Sequence, residues 1–194
     1  MKLGTTAPRF LLVLSVASTL WAGNASAQTA IDPQKSTITV RVFKAGMFSA
    51  FGHEHEISAP IQQGSITENP ASVELAVDAR KMRVMDKGTS EKDLAEIQQT
   101  MLGPKVLDSE KFRDIRFQST SVERLGEGKW AILGDLTIRG ETRSVKVRVE
   151  GQNGHYRGTA DLKQKDFGIT PVTVAGGTVK VKNELRVEFD IVSK

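Results

Sequence analysis

Apolar and polar residues alternate with a period of two through most of this chain. Because successive side chains of a β-strand point to opposite faces, each alternating run predicts a strand with one dry and one wet face. Antiparallel sheets have this pattern, whereas buried parallel strands are apolar on both faces. The apolar members of the runs are Ile38, Val40 and Val42; Val73, Leu75 and Val77; Ile115 and Phe117; Trp130, Ile132, Leu136 and Ile138; Val145, Val147 and Val149; and Leu185, Val187, Phe189 and Ile191.

Short glycine-containing turns separate several of these runs. They lie at residues 126–128, 139–141, 153–154 and 175–177, and the Asn-Gly pair at 153–154 is the strongest hairpin signal among them. Strands joined in this way form a meander. A meander of about eight strands closes on itself or stacks as a sandwich, because exposed strand edges would otherwise aggregate. The sequence therefore predicts an all-β domain built from one antiparallel meander.

One segment departs from the strand pattern. Ser90 and Asp93 have the spacing of a helix capping box, and Leu94, Ile97 and Met101 then recur at helical spacing. The Gly-Pro pair at 103–104 ends the run. We predict one short capping helix over residues 90–102 and a second turn over residues 108–111.

The first 27 residues have the order of a secretory signal. A short positive region with Lys2 and Arg9 precedes an apolar run, and Ala25 and Ala27 are the small residues that a signal peptidase reads. The alternative is a transmembrane anchor, but the apolar run is shorter than the ~20 residues needed to span a bilayer. We predict a signal peptide at residues 1–27, a single domain at residues 28–194, and secretion to the periplasm.

Composition excludes several classes of function. The formal net charge is +4, and the charges alternate in sign without a basic block, so nucleic-acid binding is not predicted. With no Cys in the chain, disulfides and thiol chemistry are excluded. No nucleophile elbow, zinc-protease helix, P-loop or dinucleotide-binding glycine motif occurs. We therefore predict that the protein is not an enzyme and uses no cofactor.

The most concentrated chemical signal is the His-Glu-His-Glu run at residues 53–56. In a strand, His53 and His55 would share one face, which is a familiar spacing of metal ligands. A metal site would need a third ligand, such as His155 or a carboxylate. Two other interpretations remain open: local hydrogen bonding within a loop, or contact with the polar end of a bound ligand, which would be pH-dependent if the imidazoles met a phosphate.

Four segments together resemble the YceI-like family. Residues 31–36 (IDPQKS) are similar to the opening of the family, and residues 107–119 (LDSEKFRDIRFQS) to its central segment. Residues 134–140 (GDLTIRG) resemble a family strand and turn, and residues 165–169 (KDFGI) a motif near its C-terminus. The order and spacing match along nearly the whole chain. Residues 113–114 depart from the usual proline, and residues 51–55 from the usual apolar or glycine-rich opening, so the chain resembles a histidine-bearing branch.

The resemblance implies an extended antiparallel lipocalin-like β-barrel with an elongated apolar tunnel, in an exported protein that binds a polyisoprenoid or fatty-acid-like lipid. We expect the apolar strand face to line this tunnel, although the same residues would equally fill a solid core. His53 and His55 are candidates for the polar end, as is Arg139, which we otherwise expect in local turn bonding. The predicted lining residues are Val40, Val42, Phe117, Leu136, Ile138, Val147, Phe167, Val187 and Phe189.

Two other functions stay open at this point. The protein could bind metal through His53 and His55, or it could be a solid barrel that binds only other proteins. Barrel edges and a lipid-binding mouth both favour self-association, so we keep a homodimer as an expected partner state alongside the small-molecule lipid. We expect no integral membrane segment in the mature domain.

Overall fold

The computed structural model describes residues 28–45, 55–174 and 179–194. Within these ranges the chain forms twelve β-strands, one α-helix and two 3₁₀ turns. The strands are β1 (Gln28–Ala30), β2 (Thr37–Ala45), β3 (His55–Ser58), β4 (Ile61–Glu68), β5 (Ala71–Asp78), β6 (Arg83–Val84), β7 (Asp114–Gly126), β8 (Lys129–Ile138), β9 (Glu141–Gln152), β10 (His155–Lys163), β11 (Thr173–Val174) and β12 (Val179–Val192). Helix α1 spans Glu91–Leu102, and the 3₁₀ turns span Ala79–Lys81 and Gln164–Phe167.

All twelve strands belong to one curled antiparallel sheet. Its order is β1-β4-β5-β7-β8-β9-β10-β12-β2-β3-β6, with β11 paired to β12. Strands β7 to β10 follow one another as a meander, as the tight turns predict. The all-β antiparallel class and the single helix are confirmed.

The described residues contain more strands than the eight or so that the sequence predicts, because strands also form in segments without an alternating run, namely β1, β3, β4, β6, β10 and β11. Between β3 and β4 the chain turns a corner at Ala59 and Pro60. Proline has no N–H to donate to a sheet, so it tends to mark such breaks. Each of the six alternating runs lies within one strand, namely β2, β5, β7, β8, β9 or β12, and the fold class is unchanged.

Residues 31–36 join the first and last parts of the sheet. Ile31 N–H donates to Gly64 O at 2.9 Å, and Lys194 N–H donates to Ala30 O at 2.8 Å. Ser36 is buried, and its hydroxyl accepts from Val192 N–H at 2.9 Å. Residues 31–36, one of the segments that resembles the family, therefore connect the first and last parts of the curled sheet at one end. We call this segment the clasp.

The sheet has an apolar inner face and a charged outer face. On β8 and β9, Ile132, Val147 and Val149 are buried and belong to one inner cluster. The outer face carries cross-strand ion pairs, including Arg186 Nε to Asp161 Oδ1 at 2.8 Å. The alternation in the sequence is thus the alternation between these two faces.

Helix α1 lies at the end of the sheet where β5 and β8 finish, which we call the helix end. Ser90 caps the helix, and its hydroxyl accepts from Asp93 N–H at 3.2 Å. Met101 is buried with Leu107, Ile57 and other residues of this end. The predicted turn after the helix is present, since the N–H groups of residues 111 and 112 donate to Asp108 O. The opposite end carries the β7–β8 turn, and we call it the hairpin end.

The ladder between β9 and β10 is incomplete. It pairs residues 155–159 with residues 148–152 and stops there, although both strands continue toward the helix end. A cavity of about 210 Å³ opens between the unpaired halves and is lined in part by Val145, Leu162 and Phe167. Phe167, which is 2% exposed, fills the space behind it. We call this opening the β9–β10 gap.

Candidate ligand-binding site

All nine apolar residues that the sequence predicts as lining lie in the inner clusters of the sheet. Val147 and Phe167 are buried within one of these clusters. The other seven pack against the buried residues but are only partly buried themselves. The structure therefore places the predicted set on the inner face of the sheet, divided between two clusters that share Ile138.

The inner surface is not tightly packed throughout. Among the described residues, no large side chain falls below 2% exposure. Phe117, Leu136 and Phe189 face inward and yet retain accessible area. Protein cores are normally close-packed, so accessible area on inward-facing side chains indicates unfilled space.

Two glycines allow aromatic rings to lie against the inner wall. A Cβ atom on Gly134 would lie 2.4 Å from the ring of Phe117, and one on Gly158 would lie 2.4 Å from the ring of Phe189. Each ring thus occupies the space above a glycine on a neighbouring strand. This arrangement keeps both rings flat against the wall instead of projecting across the interior.

A histidine and a carboxylate meet at the helix end of this inner surface. His55 Nδ1 lies 2.5 Å from Asp86 Oδ2, and Asp86 Oδ1 accepts from Glu56 N–H at 2.8 Å. The Asp86 side chain is 2% exposed and that of His55 is 17% exposed. We call this arrangement the inner pair. It places one buried negative group beside one partly accessible imidazole.

The register of β3 determines where His55 points. His55 lies opposite Val42 and Ile57 lies opposite Val40 on β2. Ile57 is buried in the inner cluster, so His55, two residues away, faces the same side. Glu56 has the opposite orientation and contacts Arg41 on the outer face.

Asp86 is the residue that sequence reasoning missed. It follows β6, a strand of two residues that pairs with β3, and it lies 31 residues from His55 in the chain. No periodic pattern marks so short a strand, and nothing in a single sequence links position 86 to position 55. The side chain of Gln98 on α1 holds β6 in place by accepting from Val84 N–H and donating to Met82 O, both at 2.9 Å.

His155 belongs to a different site from His55. Its Nε2 lies 2.5 Å from Asp190 Oδ1 on the outer face, and Arg157 Nε donates to Asp190 Oδ2 at 2.7 Å. His155 begins β10 at the hairpin end, where it lies opposite Val192. The structure therefore does not place His155 where it could serve as a third ligand beside His55.

The described part of the chain contains no complete metal site. His53 lies outside the described residues. Within residues 28–45, 55–174 and 179–194, no three His, Asp or Glu side chains are grouped closely enough to hold a metal ion. Metal binding by His53 and His55 stays a prediction.

Two further residues lie at opposite ends of the sheet. Arg139 has a φ of 53°, and its guanidinium donates to Gly168 O at 3.3 Å and Pro104 O at 2.9 Å. It ties the loops of the helix end together, as its expected turn role suggests. Trp130 faces inward at the hairpin end, and its indole Nε1 is buried with no hydrogen-bond partner among the described residues.

None of the described helices has the length and apolar character needed to cross a membrane. The predicted signal peptide and its cleavage site, at residues 1–27, lie outside the described residues.

Two of the solved structures that resemble this fold come from different bacteria. BcnA of Burkholderia cenocepacia superposes with a TM-score of 0.61 at 19% identity, over 84% of this chain and 99% of that one. The YCEI protein of Campylobacter jejuni superposes with a TM-score of 0.51 at 9% identity, over 97% and 99% of the two chains. At such identities the likeness concerns the fold alone.

Sequence relatives and a family model agree with the structural likeness. A UPF0312 protein of Vibrio cholerae is 31% identical over 140 residues, which cover 64% of this chain and 68% of that protein. A UPF0312 protein of Shewanella is 29% identical over 144 residues, which cover 69% and 71% of the two chains. The model of the YceI-like domain matches residues 30–193, and this range contains the clasp, the inner apolar surface and the inner pair. The chain belongs to the YceI-like family.

Proposed function

We propose that this protein is an exported carrier that binds one long apolar molecule, such as a polyisoprenoid or a fatty-acid-like lipid, along the inner face of its curled sheet. The observation that supports this function most directly is the accessible area left on inward-facing residues such as Phe117, Leu136 and Phe189. Unfilled apolar space inside a sheet is costly unless a ligand occupies it.

The dimensions of the inner face suit a hydrocarbon chain. Trp130 and Ile138 mark the two ends of β8, and the eight steps between them span ~20 Å along the axis of a sheet with tilted strands. Burial contributes roughly 0.8 kcal/mol per CH₂ group. A chain of about ten carbons would therefore contribute about 8 kcal/mol, which corresponds to micromolar affinity before the cost of ordering the chain.

The polar end of the ligand would lie at the helix end, near His55 and Asp86. His55 is partly accessible and faces the same side as the apolar lining. His53 belongs to this proposal as the neighbouring imidazole. The proposed residues of the site are therefore the nine lining residues together with the two histidines.

The outer face suits a protein that carries its ligand without nucleic acid and without catalysis. Cationic side chains there are neutralised by carboxylates, as in the contacts of Arg157 with Asp190 and of Arg186 with Asp161. We assign no chemical step to any residue, and we propose periplasmic secretion directed by residues 1–27. A homodimer is compatible with this function and is tested by the mass measurement below.

Native mass spectrometry of the protein purified from its own host tests the carrier function. We expect a mass above that of the polypeptide, and loss of the excess after denaturing extraction identifies the cargo. Displacement of the fluorescent probe N-phenyl-1-naphthylamine by dodecane provides a second measurement on the delipidated protein. A polypeptide with no extra mass that also fails to bind the probe would favour a solid barrel that binds only proteins.

A metal-binding function has one observation in its favour. Asp86 holds His55 through Nδ1, and carboxylates orient metal-bound histidines in the same way. Isothermal titration with Zn²⁺, repeated on His55→Ala, tests it. Stoichiometric binding that this substitution abolishes would support the metal function, and absence of binding would end it.

A further inference from the structure

The inner pair has more structure than the carrier function requires. A purely apolar ligand needs no polar group on the wall, and a buried carboxylate is costly unless its oxygens are hydrogen-bonded. Both oxygens of Asp86 are occupied, one by His55 and one by Glu56 N–H. The arrangement therefore leaves one atom unexplained, namely the second ring nitrogen of His55.

We propose that His55 Nε2 accepts a hydrogen bond from a donor group, a hydroxyl or an amide N–H, at the polar end of the bound ligand, and that Asp86 is the positioning residue that presents this nitrogen. The inference rests on the proposed carrier function and specifies which lipids the carrier selects.

The tautomer of the neutral ring follows from the acceptors around it. An ionised carboxylate can only accept hydrogen bonds, so Nδ1 of His55 carries the proton that is shared with Asp86 Oδ2. In the neutral imidazole the other nitrogen then has a lone pair and no proton. In this neutral form Nε2 is an acceptor, and its matching ligand group is a donor.

The side chains of Asp86 and His55 differ in exposure and therefore have different roles. Asp86 is 2% exposed and cannot itself meet a ligand, whereas His55 is 17% exposed and faces the inner surface. Among the described residues, no contact occupies Nε2. The carboxylate holds the ring at Nδ1 and leaves Nε2 open to a ligand, as recognition of that ligand requires.

This geometry predicts that the protein distinguishes ligands that can donate a hydrogen bond from ligands that cannot. A long-chain alcohol can donate to Nε2, whereas its methyl ether, of nearly the same shape, cannot. An alkane leaves Nε2 without a partner. Failure to pair a buried polar group changes affinity by roughly 5- to 100-fold, so we expect the alcohol to bind about tenfold more tightly than the ether.

Asp86→Asn provides the sharpest test, because it should reverse this selectivity. The side-chain oxygen of asparagine can still accept from Glu56 N–H, but its NH₂ group would now donate to His55 Nδ1. The ring proton then moves to Nε2, which becomes a donor. Such a variant should prefer the methyl ether, or bind alcohol and ether equally, whereas a merely structural role of Asp86 would leave the preference unchanged.

The experiment measures displacement of N-phenyl-1-naphthylamine at pH 8.5 by dodecanol, 1-methoxydodecane and dodecane. Wild type should show about a tenfold preference for dodecanol over its ether. His55→Phe, which removes the nitrogen and keeps an aromatic ring, should abolish the preference. Asp190→Asn alters the same pair of residue types on the outer face and should retain it. The tautomer is checked independently by long-range ¹H–¹⁵N NMR of the imidazole, which assigns the protonated nitrogen even if Asp86→Asn binds the probe poorly.

The outcomes separate the two proposals. If dodecane displaces the probe but wild type does not distinguish the alcohol from the ether, the recognition role of His55 is wrong and the carrier function stands. A preference unchanged in His55→Phe, or a proton found on Nε2 in wild type, would also overturn it. If none of the three compounds displaces the probe, the carrier function itself fails.

Discussion

Two histidine–aspartate pairs in this protein have the same closest distance and very different surroundings. In each, a ring nitrogen lies 2.5 Å from a carboxylate oxygen. The inner pair is 17% and 2% exposed, whereas His155 and Asp190 are 49% and 33% exposed and share their site with Arg157. Distance alone therefore does not determine what a pair contributes. Burial and the number of alternative hydrogen-bond partners determine what a pair contributes to stability.

The alternative partners explain the difference. If His155 is lost, Asp190 still accepts from Arg157 and is hydrated. If His55 is lost, Asp86 keeps only Glu56 N–H in a buried position. An exposed pair contributes up to about 1 kcal/mol, whereas removal of one partner from a buried pair costs several times more, because the remaining buried group loses a hydrogen-bond partner that water does not replace.

The largest expected effect comes from removal of each histidine in turn. His55→Ala should lower the free energy of unfolding by about 3 kcal/mol, because it strands the Asp86 carboxylate. His155→Ala should lower it by less than about 1 kcal/mol. Urea unfolding of both variants at neutral pH measures the difference. Equal losses would show that the two pairs are energetically alike.

A double-mutant cycle on each pair gives a smaller but cleaner difference. We expect a coupling energy of about 2 kcal/mol between His55 and Asp86, and of about 0.5 kcal/mol between His155 and Asp190. Each cycle combines the two single Ala variants with the double variant in the same urea experiment. A coupling in the inner pair no larger than in the outer one would contradict its assignment as a buried pair.

Acid dependence should identify the contribution of Asp190. Burial raises the pKa of this carboxyl, but hydrogen bonds from Arg157 and His155 outweigh it and leave the pKa below its usual value. A lowered pKa in the folded state means that the contribution to stability is present near neutral pH and is lost as the pH falls through the folded-state pKa. The stability difference between wild type and Asp190→Asn should therefore shrink below pH 4, as thermal unfolding between pH 6 and pH 3 would measure.

Salt should produce the smallest effect. Exposed charges are screened within about 8–10 Å at 0.10–0.15 M salt, whereas buried ones are screened much less. Raising NaCl from 0.05 to 0.5 M should reduce the stability lost in Asp190→Ala by a few tenths of a kcal/mol and leave the loss in Asp86→Ala unchanged. A matching reduction in both variants would remove the distinction between the pairs.

The inner pair also marks the limit of what could be predicted from the sequence. Local alternation predicted β2, β5, β7, β8, β9 and β12, and local capping residues predicted α1, because both depend on neighbours in the chain. Asp86 depends instead on pairing between β3 and the two-residue strand β6, which no local pattern reveals. His55 was chosen for its residue type and spacing, while the carboxylate that orients it became visible only in three dimensions.

The same distinction between local patterns and long-range pairing holds for the inner face of the sheet. The inward side of Leu136 or Val187 followed from parity, but the truncated ladder between β9 and β10 did not, because both strands continue with regular alternation past the point where pairing stops. The corner at Pro60 was likewise not predicted, although proline is a frequent sign of such a break.

The β9–β10 gap has a mechanical consequence. Widening the sheet at the neighbouring β8–β9 or β10–β12 ladder would break backbone hydrogen bonds between strands, but along the gap the ladder has already ended. Only the packing of Phe167 and the side chains that flank it resists separation there. Between β8 and β12 the sheet is therefore softest along this line, and a branched or bulky tail would be accommodated by spreading β9 from β10 while the β8–β9 and β10–β12 ladders stay intact.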